Sequence, residues 1–319
     1  MNWKQSILLA QGIFPTEEEV DNWPPSAESI AFADQPDPSG ASRRETIEIA
    51  GVAVSIDYPS GTLEAICRDY FRNCPATTRS PNCRLSAERD VSGWMIRVNG
   101  HEFLRLKGEE QLGLGLMHAA RAMLYAEGDY DFAFHAAAVA HPDGAILLCG
   151  PRESGKSMLA GYLAGRGFRL LTDEPALLHL DSSAVSELSL PISLKEGSWT
   201  ALRDELAQFS CGPVHVRSDG TRIKLAHVRT EGGLCLTPLV RIVFPEYSPA
   251  IEKQAEPLSL LRTLFLLNES GVLPRKNLGR RRFEEFLVLL DRTPAHRIRY
   301  RSLSEAWQVL RSLGCAMPE

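Results

Sequence analysis

The sequence predicts an α/β protein built on a mixed sheet, and three observations lead to that class. Strand-like and helix-period apolar runs alternate through the second half of the chain. Hairpin signals recur between some of the strand runs, so the sheet is not purely parallel. A glycine-rich stretch, Gly150-Pro151-Arg152-Glu153-Ser154-Gly155-Lys156-Ser157, stands between an apolar strand run and a helical run.

The expected elements follow in chain order. Strands at 133–139 and 145–149 are separated by His141-Pro142-Asp143-Gly144, which has turn chemistry. The glycine-rich loop then leads into a helix over 155–166, halted by Gly167. Phe168-Arg169-Leu170-Leu171 forms the next strand, and Asp173-Glu174 ends it. A hairpin is expected from 176–180 and 185–190 around Asp181-Ser182-Ser183. A core strand is expected at 240–244, with helices at 258–268, 281–291 and 303–313.

The first part of the chain reads differently. Residues 1–45 are rich in Pro, Asp, Glu and Ser and form an expected N-terminal extension, with Trp23-Pro24-Pro25-Ser26 and Asp34-Gln35-Pro36-Asp37-Pro38 as its marks. Residues 46–128 read as a small α+β module. Its signals are alternation over 46–56 around Gly51, helical spacing over 63–71, and the runs 95–98 and 103–106 flanking Asn99-Gly100. A helix over 109–125 places Leu112, Leu116, Ala119, Ala120 and Met123 on one face. Residues 129–319 make the second expected domain.

Composition narrows the function classes. The chain has 319 residues, is 44% hydrophobic and carries a net charge of −5, so no global basic field draws it to nucleic acid or an anionic membrane. Ile7-Leu8-Leu9-Ala10 is followed by Gln11 and Gly12, too short a run for a signal-peptide core or a membrane span. The seven cysteines are odd in number and scattered. Cys67, Cys74 and Cys83 come nearest to a cluster but lack zinc spacing. Free thiols in a reducing cytoplasm are the expectation.

Gly150 to Ser157 fits the Walker A pattern Gly-x-x-x-x-Gly-Lys-Ser. Glycines let successive N–H groups turn inward on phosphate oxygens, and the following helix presents the positive end of its dipole to the same anion. The backbone from Gly150 through Pro151, Arg152, Glu153, Ser154, Gly155, Lys156, Ser157 and Met158 is expected to hold a nucleoside triphosphate such as ATP. Lys156 would reach the β- and γ-phosphates, and the Ser157 hydroxyl would ligate Mg²⁺.

Asp173 and Glu174 follow at the end of the next strand, which lies on the same sheet edge as the loop when the two strands run the same way. There one carboxylate can take a proton from an attacking hydroxyl while the other orients Mg²⁺. The competing reading is an acidic pair at a solvated turn. His135, inside Phe134-His135-Ala136-Ala137-Ala138-Val139, reads on its own as a hydrogen-bonded core histidine.

Taken together, the histidine in a strand, the hairpin, the Walker A loop, the run Gly165-Arg166-Gly167-Phe168-Arg169-Leu170-Leu171-Thr172 and the acidic pair resemble the catalytic domain of bacterial HPr kinase/phosphorylase. The resemblance spans residues 133–180. It implies a fold related to ATP-dependent phosphoenolpyruvate carboxykinase, with ATP and Mg²⁺ as cofactors. Asp173 would be the general base, His135 would support the γ-phosphate or the acidic residue, and Glu174 would stand where the family has a second aspartate on the metal side. The first 130 residues do not look like that family's N-terminal domain, and its later Glu-x-Arg-Gly-x-Gly run has no clean counterpart; Lys195-Glu196-Gly197-Ser198-Trp199 comes nearest. The chain is therefore more similar to divergent HPr kinase-related proteins.

That resemblance implies a kinase that phosphorylates a hydroxyl, with a serine of a protein or peptide as the leading acceptor, and a homo-oligomer among its partners. Two alternatives stay open: a small-molecule kinase on the same scaffold, and a non-catalytic nucleotide-sensing protein. The basic run Arg275-Lys276-x-x-x-Arg280-Arg281-Arg282 reads as the solvated start of a helix, with a role toward the phosphoryl group or an acidic substrate as its alternative.

Overall fold

The computed structural model describes residues 43–58, 62–217, 219–228, 235–248, 250, 252–275 and 278–315. Residues 1–42 of the expected extension, and Lys276 of the basic run, lie outside the described residues. The chain divides into two compact units, one running to Asp129 and including Val214–Thr221, the other formed by Tyr130–Pro213 and Arg222 onward.

In the first unit the elements are β1 (Arg43–Ile49), β2 (Val52–Tyr58), α1 (Thr62–Tyr70), β3 (Cys83–Asp90), β4 (Gly93–Val98), β5 (His101–Leu106) and α2 (Leu112–Glu127). The strands form one sheet in chain order. Neighbours are antiparallel except β2 and β3, which run parallel because α1 makes the crossover between them. Asn99 and Gly100 both take positive φ (52° and 80°), as the right-handed twist of a two-residue hairpin requires. The apolar face expected for 109–125 is buried at Leu112, Leu116, Ala119, Ala120 and Met123. The α-helix starts at Leu112, after a 3₁₀ turn over Glu109–Gln111. Cys67, Cys74 and Cys83 are buried thiols, and that burial pushes each pKa up to about 12.

The second unit contains β6 (Phe132–Phe134), β7 (Ala136–His141), β8 (Gly144–Cys149), α3 (Lys156–Ala164), β9 (Arg169–Thr172), β10 (Ala176–His179), β11 (Ala184–Ser186), β12 (Ile192–Lys195), α4 (Glu196–Trp199) and α5 (Arg203–Leu206). After β13 (Ser210–Val216), which runs into the segment grouped with the first unit, come β14 (Arg222–His227), β15 (Leu236–Tyr247), β16 (Gln254–Pro257), α6 (Leu260–Ser270), β17 (Val272–Pro274), α7 (Arg280–Arg292), β18 (Ala295–Tyr300) and α8 (Leu303–Ser312).

A ten-stranded mixed sheet organises this unit in the order β17-β6-β10-β11-β15-β8-β7-β9, with β18 beside β15 and β16 beside β18. β15 runs parallel to both β8 and β18. β7 is antiparallel to β8 and to β9, so β9 runs in the same direction as β8. The C-terminal ends of β8, β9, β15 and β18 therefore share one edge of the sheet, together with the start of β7. Alternate residues of β8 feed two different cores. Ile146 and Leu148 face a cluster containing Leu159, Leu163, Phe168 and Ile298. Ala145, Leu147 and Cys149 face one containing Phe132, Leu171, Phe244 and Phe286. Burial on both faces is why these strands read as unbroken apolar runs.

Several expectations are corrected. The strand expected at 133–139 is broken at His135 into β6 and β7, because the two pieces pair with different neighbours. The second arm of the 176–190 hairpin is strand only at Ala184–Ser186. The 240–244 strand extends to Leu236–Tyr247 because it serves three partners along its length. No helix among the described residues is long and apolar enough to cross a membrane.

Candidate functional site

The loop leaves β8 at Cys149 and enters α3 at Lys156. It closes tightly through positive φ at Gly150 (154°), Glu153 (69°) and Gly155 (92°). A Cβ on Gly150 would lie 2.7 Å from the Ser154 hydroxyl, so only glycine permits this turn. Glu153 holds its left-handed backbone without that freedom. Its carboxylate accepts from Lys195 Nζ at 3.0 Å, and this contact holds its pKa below the ordinary carboxylate value.

Lys156 is 8% exposed, and its ammonium donates to the carbonyls of Gly150 (2.7 Å) and Pro151 (2.8 Å). Burial lowers its pKa, and the negative charges of Glu174 and Asp173 act against that shift. Both carboxylates thus lie within electrostatic reach of the lysine that the loop carries.

The acidic pair does not sit at a solvated turn. Asp173 is 6% exposed, and its Oδ2 accepts from the backbone N–H of Ser193 on β12 at 2.9 Å. Thr172 anchors the turn from within: its hydroxyl donates to the Pro175 carbonyl at 2.9 Å and accepts from the Glu174 N–H at 3.1 Å. These contacts hold the Asp173 carboxylate and the Glu174 backbone at a buried strand end.

His135 stands where β6 gives way to β7, and Ala136 is the register partner of Cys149, the last residue before the loop. The histidine is therefore at the same edge. Its N–H donates to the Gly271 carbonyl at 2.9 Å. Its Nδ1 lies 2.7 Å from Glu174 Oε1, with both side chains largely buried. His135 is thus neither a buried strand residue nor solitary; it is the partner of the second acid.

Lys195, in the segment nearest to the missing family signature, ends β12 and reaches the loop through Glu153, whereas its neighbour Glu196 pairs with Arg222 at 2.5 Å. The basic run is engaged elsewhere in this unit. Arg282 makes a two-pronged contact with Asp131, both bonds 2.9 Å, and also reaches Asp181 at 2.7 Å. Arg280 and Arg281 pair with Glu284 and Glu285 one turn along α7. The reading as a helix start describes Arg280 and Arg281; Arg282 is a staple joining the start of β6 to the β10–β11 turn.

Among the described residues no group of three or more His, Cys, Asp or Glu side chains is placed to hold a metal ion. Ser157, Asp173 and Glu174 carry the oxygens by which this unit could contribute to a hard cation, one that keeps waters and takes phosphate oxygens as its other ligands. Sequence reasoning missed Thr172, Ser193 and the paired strand ends Tyr247 and Tyr300. The first two act through a turn and a backbone N–H. Tyr300 lies on β18, whose charged residues hid it: in Ala-His-Arg-Ile-Arg-Tyr only Ala295, Ile298 and Tyr300 are buried.

One sheet edge therefore presents a tight glycine-rich loop leading into a helix, a buried ammonium, two adjacent carboxylates and a histidine. Such a set can bind a polyphosphate and move a proton beside it. No family model matches this chain, and no curated protein matches it.

Proposed function

We propose that this chain is an ATP- and Mg²⁺-dependent kinase of the HPr kinase-related type, with a phosphoenolpyruvate carboxykinase-like catalytic fold, that phosphorylates a hydroxyl, a serine of a protein or peptide being the acceptor class. One observation carries the reading: Asp173 and the His135–Glu174 pair stand on the same sheet edge as the Gly150–Ser157 loop. One buried carboxylate beside such a loop would serve Mg²⁺ in a protein that only binds a nucleotide; a second, with a histidine against it, leaves a carboxylate to orient and deprotonate an acceptor hydroxyl.

In this reading the amides of Gly155, Lys156 and Ser157 and the positive end of α3 hold the phosphate chain, and Lys156 turns from the loop carbonyls to the β- and γ-phosphates. Asp173, held by the Ser193 N–H, accepts the proton of the acceptor hydroxyl. The freed oxygen forms its bond to the γ-phosphorus as the bond to the bridging β–γ oxygen breaks, and ADP leaves with that electron pair. His135 keeps Glu174 turned toward the site. Mg²⁺, held by the Ser157 hydroxyl and Glu174, would neutralise charge on the phosphate oxygens.

The test is incubation of the purified protein and its Asp173→Asn variant with γ-labelled ATP and cell extract, separated by size. Label in the macromolecular fraction that disappears with the variant is the expected result. Label in small molecules would move the acceptor to a metabolite. Equal labelling by both proteins would end the assignment of Asp173, and no labelling above the extract alone would end the kinase reading.

A further inference from the structure

We propose that Tyr247 is the base platform of this site, so the phosphoryl donor is a nucleoside triphosphate and not pyrophosphate or a free polyphosphate. The inference rests on the phosphate-binding reading of the loop and adds the identity of what lies beyond the phosphates.

β8 has β7 on one side and β15 on the other. The β7 side of the loop carries His135 and, one strand further, Asp173 and Glu174. That is the side able to handle a proton and charge, so the reacting end of a polyphosphate belongs there. Its other end then runs toward β15.

β15 and β18 are parallel, and their last residues, Tyr247 and Tyr300, are register partners at the loop edge. Both lie against Gly155. The position a Cβ would take on that glycine is 3.0 Å from the Tyr300 hydroxyl and 3.9 Å from Tyr247 Cβ. The two rings are 5.9 Å apart at 55°. Their exposures differ sharply: Tyr300 is fully buried, whereas Tyr247 is 48% exposed. The buried hydroxyl of Tyr300 has no hydrogen-bond partner among the described residues.

A half-exposed aromatic ring beside the loop, with a second ring tilted against it, offers a planar base a face to stack on. Inorganic phosphates have no group that would use it. Because any base has a π-face, the platform accepts purines without choosing among them.

The experiment measures dissociation constants for ATP and for tripolyphosphate, with Mg²⁺ present, on the full chain carrying Tyr247→Ala or Tyr247→Phe. Loss of base stacking is expected to weaken ATP about 5–150-fold in the alanine variant. Tripolyphosphate binding stays unchanged, and phenylalanine retains the wild-type ATP affinity. Unchanged ATP affinity in Tyr247→Ala, or equal loss of both ligands, overturns the platform while leaving the loop reading intact. A wild-type chain that binds neither ligand fails at the loop, and the platform falls with it.

Discussion

Nδ1 of His135 lies 2.7 Å from Oε1 of Glu174, which joins the β6–β7 break to the residue just past β9. The sequence pairs Glu174 with Asp173 and links His135 to the acids only through the family resemblance, whereas the fold sets the imidazole directly against Glu174 beside the loop. If the pair acts as a unit, His135→Ala and Glu174→Gln each lower phosphoryl transfer about 10–100-fold, the range for partners that orient a reacting or metal-binding group. The double variant then falls little below the worse single one. Initial rates of label transfer for the four proteins check this, and effects that multiply would separate the two residues.

Lys156 makes stability depend on pH in a stated direction. Burial puts its folded pKa below the ordinary lysine value of 10.5, so in the window between the two values the unfolded chain binds more protons. The penalty on the buried ammonium is full below the folded pKa and is relieved as pH rises through it. The stability of the wild type relative to Lys156→Met should therefore rise with pH across that alkaline window. Urea midpoints of both proteins measured over the window test it; a flat difference would mean that the ammonium is not desolvated. Lys156→Met should also abolish ATP binding at neutral pH.

Tyr300 and Gly155 give a stability test that needs no ligand. A buried hydroxyl without a partner is unfavourable by about 1–3 kcal/mol, so Tyr300→Phe is expected to stabilise the protein by about 1 kcal/mol. Gly155→Ala places a Cβ on a backbone at φ 92° and 3.0 Å from that hydroxyl, and should destabilise by about 1–2 kcal/mol. In the Tyr300→Phe background the alanine should be better tolerated, because the crowding oxygen has gone. Denaturant melts of the two singles and the double decide it.

Arg282 and Arg280 are adjacent in class and far apart in consequence. The Arg282 guanidinium grips Asp131 with two bonds at 2.9 Å, largely shielded from water, so Arg282→Ala should be destabilising by about 1.5–3 kcal/mol. Arg280 forms only an exposed pair one turn along the helix, and its removal should change stability by about 0.5 kcal/mol or less. Unfolding free energies of the two variants provide the comparison.

The local pieces of the site were legible in the sequence because each rests on a short-range rule. Gly150 and Gly155 are where a tight loop needs positive φ, and Asn99-Gly100 is where a hairpin needs it. The helices near 258–268, 281–291 and 303–313 follow from apolar spacing and appear as Leu260–Ser270, Arg280–Arg292 and Leu303–Ser312. Strand direction was not legible. That β9 runs with β8 is decided by β7 inserting antiparallel between them, a pairing between segments whose apolar faces look alike from either side. The same holds for β18, whose alternating charges conceal a strand that only parallel pairing with β15 reveals.

The sequence by itself therefore determined that a Walker A loop stands between a strand and a helix, with an acidic pair at the next strand end and a histidine upstream. Tertiary structure alone decided that His135 meets Glu174, that the Ser193 N–H holds Asp173, and that Tyr247 and Tyr300 lie against Gly155. The reason is physical: loop closure and helix capping are set by neighbours a few residues away, whereas hydrogen bonds and ring contacts between strand ends depend on which strands the sheet brings side by side.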